Sequence, residues 1–150
     1  VSWEYWYRFQ IPYLVRHRTF FGDIESWNVW GSIGLVQIRS VIENINNNIS
    51  SLPKNYKDFY LYTLRHKPKR GINASSIADI SSIPRATVIR KLKTLEKNKH
   101  IMRNKRLEYF LAPKSDNLKG FEKNYLINQR SWSDYCTTMF NLMKFSKFSI

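Results

Sequence analysis

Arg85, Arg90, Lys93 and Lys97 stand in one segment, SIPRATVIRKLKTLEK, residues 82–97, which carries a single acid, Glu96. A row of cations at such spacing binds anions, and the regularly spaced phosphates of a nucleic acid are the anions it fits best. On a helical wheel of about 100° per residue, Val88, Leu92 and Leu95 fall on one side. Ala86, Arg90, Lys93 and Lys97 fall almost opposite, with Arg85 and Thr87 flanking them at the N-terminal end. One face is therefore aliphatic, and the other is small at its tip and cationic along its length. A helix of that make-up suits the major groove of DNA, which is wide enough to admit it.

Other chemistry is poorly supported. His17, His66 and His100 are isolated, and neither they nor Cys136 show the spacing of a metal site. The five glycines are scattered singly, so no loop cradles a phosphate. Asp23 and Glu25 are adequately explained by a helix start. The expectation is a protein that is not an enzyme and uses no metal or cofactor.

The balance of 25 Lys and Arg against 11 Asp and Glu leaves a formal charge of +14. Self-repulsion of that size is relieved by a polyanion: nucleic acid first, an acidic membrane surface second. Nine Tyr, nine Phe and five Trp exclude a disordered basic tail and supply a core. Cys136 is the only cysteine, so no intrachain disulfide forms and a reducing compartment fits. The N-terminus carries Glu4, Arg8, Arg16 and Arg18, unlike a signal peptide. The apolar window from Trp27 to Ile42 holds Gln37 and Arg39 and is too short to span a bilayer. These features lead to the expectation of a cytoplasmic protein without membrane attachment; the first residue, Val1, suggests further residues upstream.

The elements that must position the basic face follow from period and punctuation. Residues 1–50 are predicted as N-terminal helices. The first is aromatic and helical on either side of Pro12. The second starts at Gly22-Asp23 and buries Trp27, Gly34, Ile38, Val41 and Ile45. Residues 55–113 form the next unit. Its first helix, Tyr56 to Leu64, turns Tyr56, Phe59, Tyr60 and Leu64 inward, and RHKPKRG, residues 65–71, is a basic linker. A short helix capped by Asn73 or Ser75 buries Ile77, Ala78 and Ile80. A turn at Ser81-Ser82 leads to the basic helix, 84–97, with Pro84 at its first position. In IMRNKRLEYFLAP the period changes to two: Leu107, Tyr109 and Leu111 mark a strand, and Ile101 to Arg103 its partner across a turn at Asn104-Lys105. Residues 116–145 return to helix, with Leu118, Phe121, Tyr125, Asn128, Trp132, Tyr135, Met139 and Leu142 at gaps of three and four. A seam of this length with one polar position suits a partner helix, the Asn fixing its register.

Two helices joined by a tight turn, the second basic, form a DNA-reading unit, with Ala78 at the close approach, Ile83 in the turn and Ile77 and Val88 sealing the angle. SIADISSIPRATVIRKLKTLEKNKHIMR, residues 76–103, resembles the winged helix-turn-helix of bacterial transcription regulators: the multiple-antibiotic-resistance regulator (MarR), isocitrate-lyase regulator (IclR) and catabolite activator families. The order of helices, hairpin wing and final long helix is most similar to MarR-like proteins. Motif-level similarity covers about residues 56–114, with YFLAPK resembling the closing wing strand. Where these families carry glycine in the turn and after the recognition helix, this chain has Ser82 and Lys99, the latter beside Asn98. The wing also lacks the acidic-arginine signature of many MarR proteins.

The resemblance implies a mainly α fold with a small β-hairpin wing, flanked by N- and C-terminal dimerisation helices. It implies a homodimeric regulator on double-stranded DNA, the recognition helix in the major groove and the wing, 101–111, on the backbone or minor groove. By position, Arg85, Ala86, Thr87 and Arg90 would meet bases. Lys67, Lys69, Arg70, Ser75, Lys93, Lys97, Arg103, Lys105 and Arg106 would meet phosphates. Leu118, Phe121, Tyr125, Trp132, Tyr135, Met139 and Leu142 would form the dimer seam. Trp3, Trp6, Phe9, Tyr13, Trp27 and Trp30 exceed the needs of a small interface; they are either core or the lining for a small aromatic or apolar effector. A replication initiator, a chromosome-organising protein and a winged-helix protein-interaction module remain alternatives.

Overall fold

A computed structural model of the chain describes residues 2–47, 56–66, 68–112 and 118–145. In chain order these form α1 (Ser2–Phe21), α2 (Ile24–Asn47), α3 (Tyr56–Arg65), α4 (Ala74–Ser81), α5 (Arg85–Lys97), the strands β1 (Ile101–Arg103) and β2 (Tyr109–Leu111), and α6 (Leu118–Phe145). The protein is mainly helical with one small antiparallel hairpin. It divides into two compact units, residues 1–24 with 116–150, and residues 25–115. The sequence pattern bracketed α1 with α2. In the structure α1 keeps company with α6, and all but the first residue of α2 belongs to the unit that holds the hairpin.

In the first unit α1 and α6 run antiparallel: Trp6 and Phe9 meet Tyr135 at ring-centroid distances of 5.5 and 5.7 Å, while Arg16 reaches back to Asn128. α1 is continuous through Pro12, whose missing N–H removes one intrahelical bond without ending the helix. Gly22, at φ +87°, closes it in the left-handed conformation glycine adopts without cost. His17 is buried between the rings of Tyr13 and Phe21, and its Nδ1 donates to the Tyr13 carbonyl at 2.7 Å.

The second unit is organised by a polar side chain in its core. The buried stripe of α2 is Ser26, Val29, Ile33, Gln37, Val41 and Ile45. Ile38, expected on that stripe, is exposed. Gly34, Val41 and Ile45 are buried as expected and Trp27 is half-buried; Gln37 takes the inward place beside Ile38 because its amide has bonds to make inside. Its Nε2 donates to the carbonyls of Thr63 and His66 where α3 ends, and its Oε1 accepts the Leu111 N–H at 3.1 Å. One side chain thereby satisfies the orphan end of a helix and the inner edge of a strand. Ser40 and Asn44, one and two turns on, add bonds to His66 and Tyr62 of the α3 segment.

Asn73 caps α4, accepting the Ser76 N–H at 2.9 Å. Ile77 is fully buried, but Ile80 is 47% exposed, a correction to the expected inward set. Ile80 stands about 60° round the helix from Ile77, at the edge of the buried face and in the last turn of an eight-residue helix, where the core no longer covers it. Ser82 at φ 55° makes the turn and Ile83 is buried in it. α5 starts at Arg85, one residue later than expected, because Pro84 holds extended backbone, ψ 134°, outside the helix. At its far end Lys99, φ 57°, takes the left-handed position: its N–H donates to the Glu96 carbonyl and that of His100 to the Leu95 carbonyl. This pair of bonds is the Schellman closure that usually employs glycine.

β1 and β2 pair Ile101 with Leu111, Met102 with Phe110 and Arg103 with Tyr109. Leu107, expected in the second strand, instead sits in the turn at φ 60°. The backbone of Ile72 adds a further, isolated antiparallel rung, exchanging both hydrogen bonds with Tyr109. The sequence pattern missed this rung because one residue leaves no alternation to read. Its neighbour Gly71 is required by proximity: a Cβ there would lie 2.7 Å from the Phe110 ring and 2.8 Å from the Tyr109 carbonyl oxygen.

Three stability predictions follow from these contacts. Gln37→Leu keeps the volume but strands two carbonyls and an N–H, and should lower unfolding free energy by about 2–3 kcal/mol in a denaturant titration. Lys99→Gly removes left-handed strain and should raise it by about 0.5–1 kcal/mol in the same assay. Burial depresses the pKa of both His17 and His100 below the ordinary 6.5. Below about pH 6.5 the unfolded chain takes up these protons before the folded chain does, so stability is complete above that pH and is lost as pH falls through the lowered folded values. Thermal midpoints measured downward from neutral pH should decline from there, less steeply in His100→Gln.

Candidate nucleic-acid interface

The faces of α5 separate as the wheel predicts. Val88, Leu92 and Leu95 are buried, whereas Arg85, Ala86, Arg90, Lys93 and Lys97 are exposed and Thr87 is half-buried. Lys91, on the flank, is the cation the fold uses for itself: it is 8% exposed, and its Nζ lies 3.2 Å from Glu25 at the start of α2. The salt bridge ties α5 to α2 and removes Lys91 from the outward row.

Neighbouring elements extend this row. Arg85 Nε donates to the Ser75 hydroxyl at 3.1 Å, joining the N-terminal ends of α4 and α5. The two residues expected on a base and a phosphate thus form one polar cluster. At the other end of α5, Glu96 holds Arg103 of β1 at 3.4 Å. The lone acid of the helix therefore braces the hairpin and does not neutralise the outward cations. Lys69 and Arg70 are exposed just before Gly71, which lies against the Phe110 ring of β2. Lys67, the third linker cation expected on a phosphate, lies outside the described residues.

The hairpin tip is a stiff turn built on Asn104. Its Oδ1 accepts the N–H groups of Arg106 and Glu108 at 2.9 and 3.0 Å, and its Nδ2 donates to the Glu108 carboxylate at 2.7 Å. Backbone bonds from Leu107 N–H to the Asn104 carbonyl and from Asn104 N–H to the Glu108 carbonyl close the loop. Lys105, Arg106 and Leu107 are carried outward on it, all exposed. The sequence reading placed two of these cations and overlooked the leucine, whose alternation with Tyr109 and Leu111 mimicked a strand. The one sign available was Asn104 itself, a residue that favours local side-chain turns.

The predicted dimer seam is partly occupied within the chain. Tyr135 and Trp132 stack around Phe9 of α1, with centroids 5.7 and 5.1 Å away, and Asn128 accepts its bond from Arg16. Tyr125, Met139 and Leu142 are half-buried; the side chains of Leu118 and Phe121 lie outside the described residues. The aromatic residues suggested as an effector lining are likewise divided. Trp6, Phe9 and Tyr13 engage one another and α6, Trp3 is 70% exposed, and Trp27 and Trp30 lie on α2 in the other unit.

Among the described residues no group of three His, Cys, Asp or Glu is placed to hold a metal ion, and no helix is long and apolar enough to cross a membrane. What the arrangement offers is a rigid cationic ridge, α5, flanked by a basic hairpin tip and a basic approach segment. No protein-family model, curated protein or solved structure matches the chain.

Proposed function

We propose that residues 56–112 form a winged helix-turn-helix and that the protein is a non-catalytic, sequence-specific regulator of transcription binding double-stranded DNA. α4 and α5 would be the paired helices, α5 the reading helix and β1–β2 the wing. The observation that carries this reading is the outward face of α5: Arg85, Ala86, Arg90, Lys93 and Lys97 are exposed while the opposite face is sealed into the core. Glu25 and Glu96 pair with Lys91 and Arg103, which flank that face and are not in its exposed row.

In the major groove, Arg90 and Arg85 have the reach and fork geometry to bridge guanine O6 and N7, and the Ala86 methyl group can touch a thymine methyl. Lys93 and Lys97 would lie along the phosphates, as would Lys69, Arg70, Lys105 and Arg106 from either side. Affinity would be largely electrostatic, with counterions released and a steep dependence on salt. Exposed apolar side chains on α1 and α6, among them Ile11, Val15, Phe140 and Met143, supply surface for a second copy. A homodimer would present two reading helices about one helical turn apart and favour a roughly palindromic site.

Selection of bound duplexes from a random pool provides the test. A symmetric, enriched site is expected, and a footprint at a promoter, as against an origin or scattered loci, would separate a regulator from a replication or chromosome-organising protein. On that site Arg90→Ala should cost about 1–3 kcal/mol and relax preference at one base pair. Lys105→Ala should weaken all duplexes about equally and reduce the salt slope by about one. Unchanged binding by both variants in a salt-titrated fluorescence anisotropy assay would remove α5 and the wing from the interface.

A further inference from the structure

Leu107 lies at the tip of the hairpin, 60% exposed, at φ 60°. Each property alone is ordinary, since single apolar side chains are common on surfaces. Together they are not. Left-handed backbone in a turn is normally given to Gly, Asn or Asp, which adopt it with least strain. The Asn104 bonds on both sides of Leu107 hold the turn in one shape, so the side chain cannot fold back under the hairpin. Lys105 and Arg106 stand immediately before it, also exposed, and Arg103 rises from the adjoining strand.

We infer that Leu107 is an apolar wedge that the wing drives into the minor groove of a DNA duplex, parting a base step and bending the helix axis. The inference rests on the duplex-binding reading and adds to it a groove, a contact and a deformation. The chemistry is specific. A minor groove about 6 Å wide accepts one aliphatic side chain between two walls of phosphate. Lys105 and Arg106 would grip those walls while the leucine replaces the stacking contact it disrupts. Apolar wedges beside cations kink duplexes toward the major groove, most readily at pyrimidine–purine steps. A lone leucine buries too little surface to anchor the chain to a bilayer. The rigidity of the turn favours this use, because a wedge must be stiffer than the stack it opens.

The experiment compares the full chain with Leu107→Asn and Leu107→Met on a duplex selected by the parent, labelled at its ends for energy transfer. Asn keeps the left-handed turn and loses the apolar tip; Met keeps the tip. Thermal midpoints report that the hairpin is retained in both. Parent and Leu107→Met should shorten the end-to-end distance on binding. Leu107→Asn should leave the duplex straighter and bind about tenfold more weakly, the worth of burying a leucine, with the salt slope unchanged because no cation is lost. If Leu107→Asn binds and bends as the parent does, the wedge is wrong while duplex binding stands. If the parent retards no duplex at low salt, duplex binding fails and the wedge with it.

Discussion

The Gln37 amide is the junction on which the basic surface depends. Buried at 2% exposure, it bonds to α3 through two carbonyls and to β2 through the Leu111 N–H. Leu111 is held in register with Ile101 of β1, and β1 leaves α5 through the Schellman turn at Lys99. The orientation of the hairpin relative to α2 and α3 is therefore set by directional bonds. An apolar side chain at position 37 would fill the space without dictating where β2 stops. A fully satisfied polar group in a core specifies one arrangement where an aliphatic contact permits several.

Much of this architecture is legible in the chain. The 3.6-residue period of α5, the change of period at β1–β2, a cap at Asn73 or Ser75 and the long repeat of α6 all come from strong local signals. What escaped was decided by partners distant in sequence. The register of α2 depends on Gln37 meeting a residue 74 positions away, which no window on α2 contains. Ile80 reads as core by composition, yet an eight-residue helix has room for little more than one buried turn. α6 reads as a seam awaiting a partner, and nothing within it reveals that Trp6 and Phe9 of α1 supply contacts to part of that seam. The outward cations of α5 were visible because exposure leaves them governed by helical period alone; the bracing of Arg103 by Glu96 was not.

Charge pairing in the unit of residues 25–115 is concentrated at the joints between elements. A chain of formal charge +14 has every reason to pair its acids with its cations wherever it can. Glu25 is given to Lys91 and Glu96 to Arg103, both at joints between elements, and Glu108 is drawn to Asn104 in the hairpin turn. These acids stiffen the frame. The positive field over Arg90, Lys93 and Lys97 stays strong, and repulsion among those side chains is the condition that a polyanion would relieve.

Among the described residues, three other than glycine are left-handed, Ser82, Lys99 and Leu107. Each carries strain of about 1–2 kcal/mol relative to glycine. At Ser82 and Lys99 that strain brings a return: the first turns the chain from α4 into α5, and the second closes α5 with two backbone bonds and delivers β1 to its place. At Leu107 the left-handed residue itself could as well be asparagine or glycine, and the turn would close with the same Asn104 bonds. Neither core packing nor turn geometry calls for a leucine there. The left-handed position closes the hairpin turn, but that closure makes no use of an apolar side chain, and at the end of a basic hairpin the leucine is exposed.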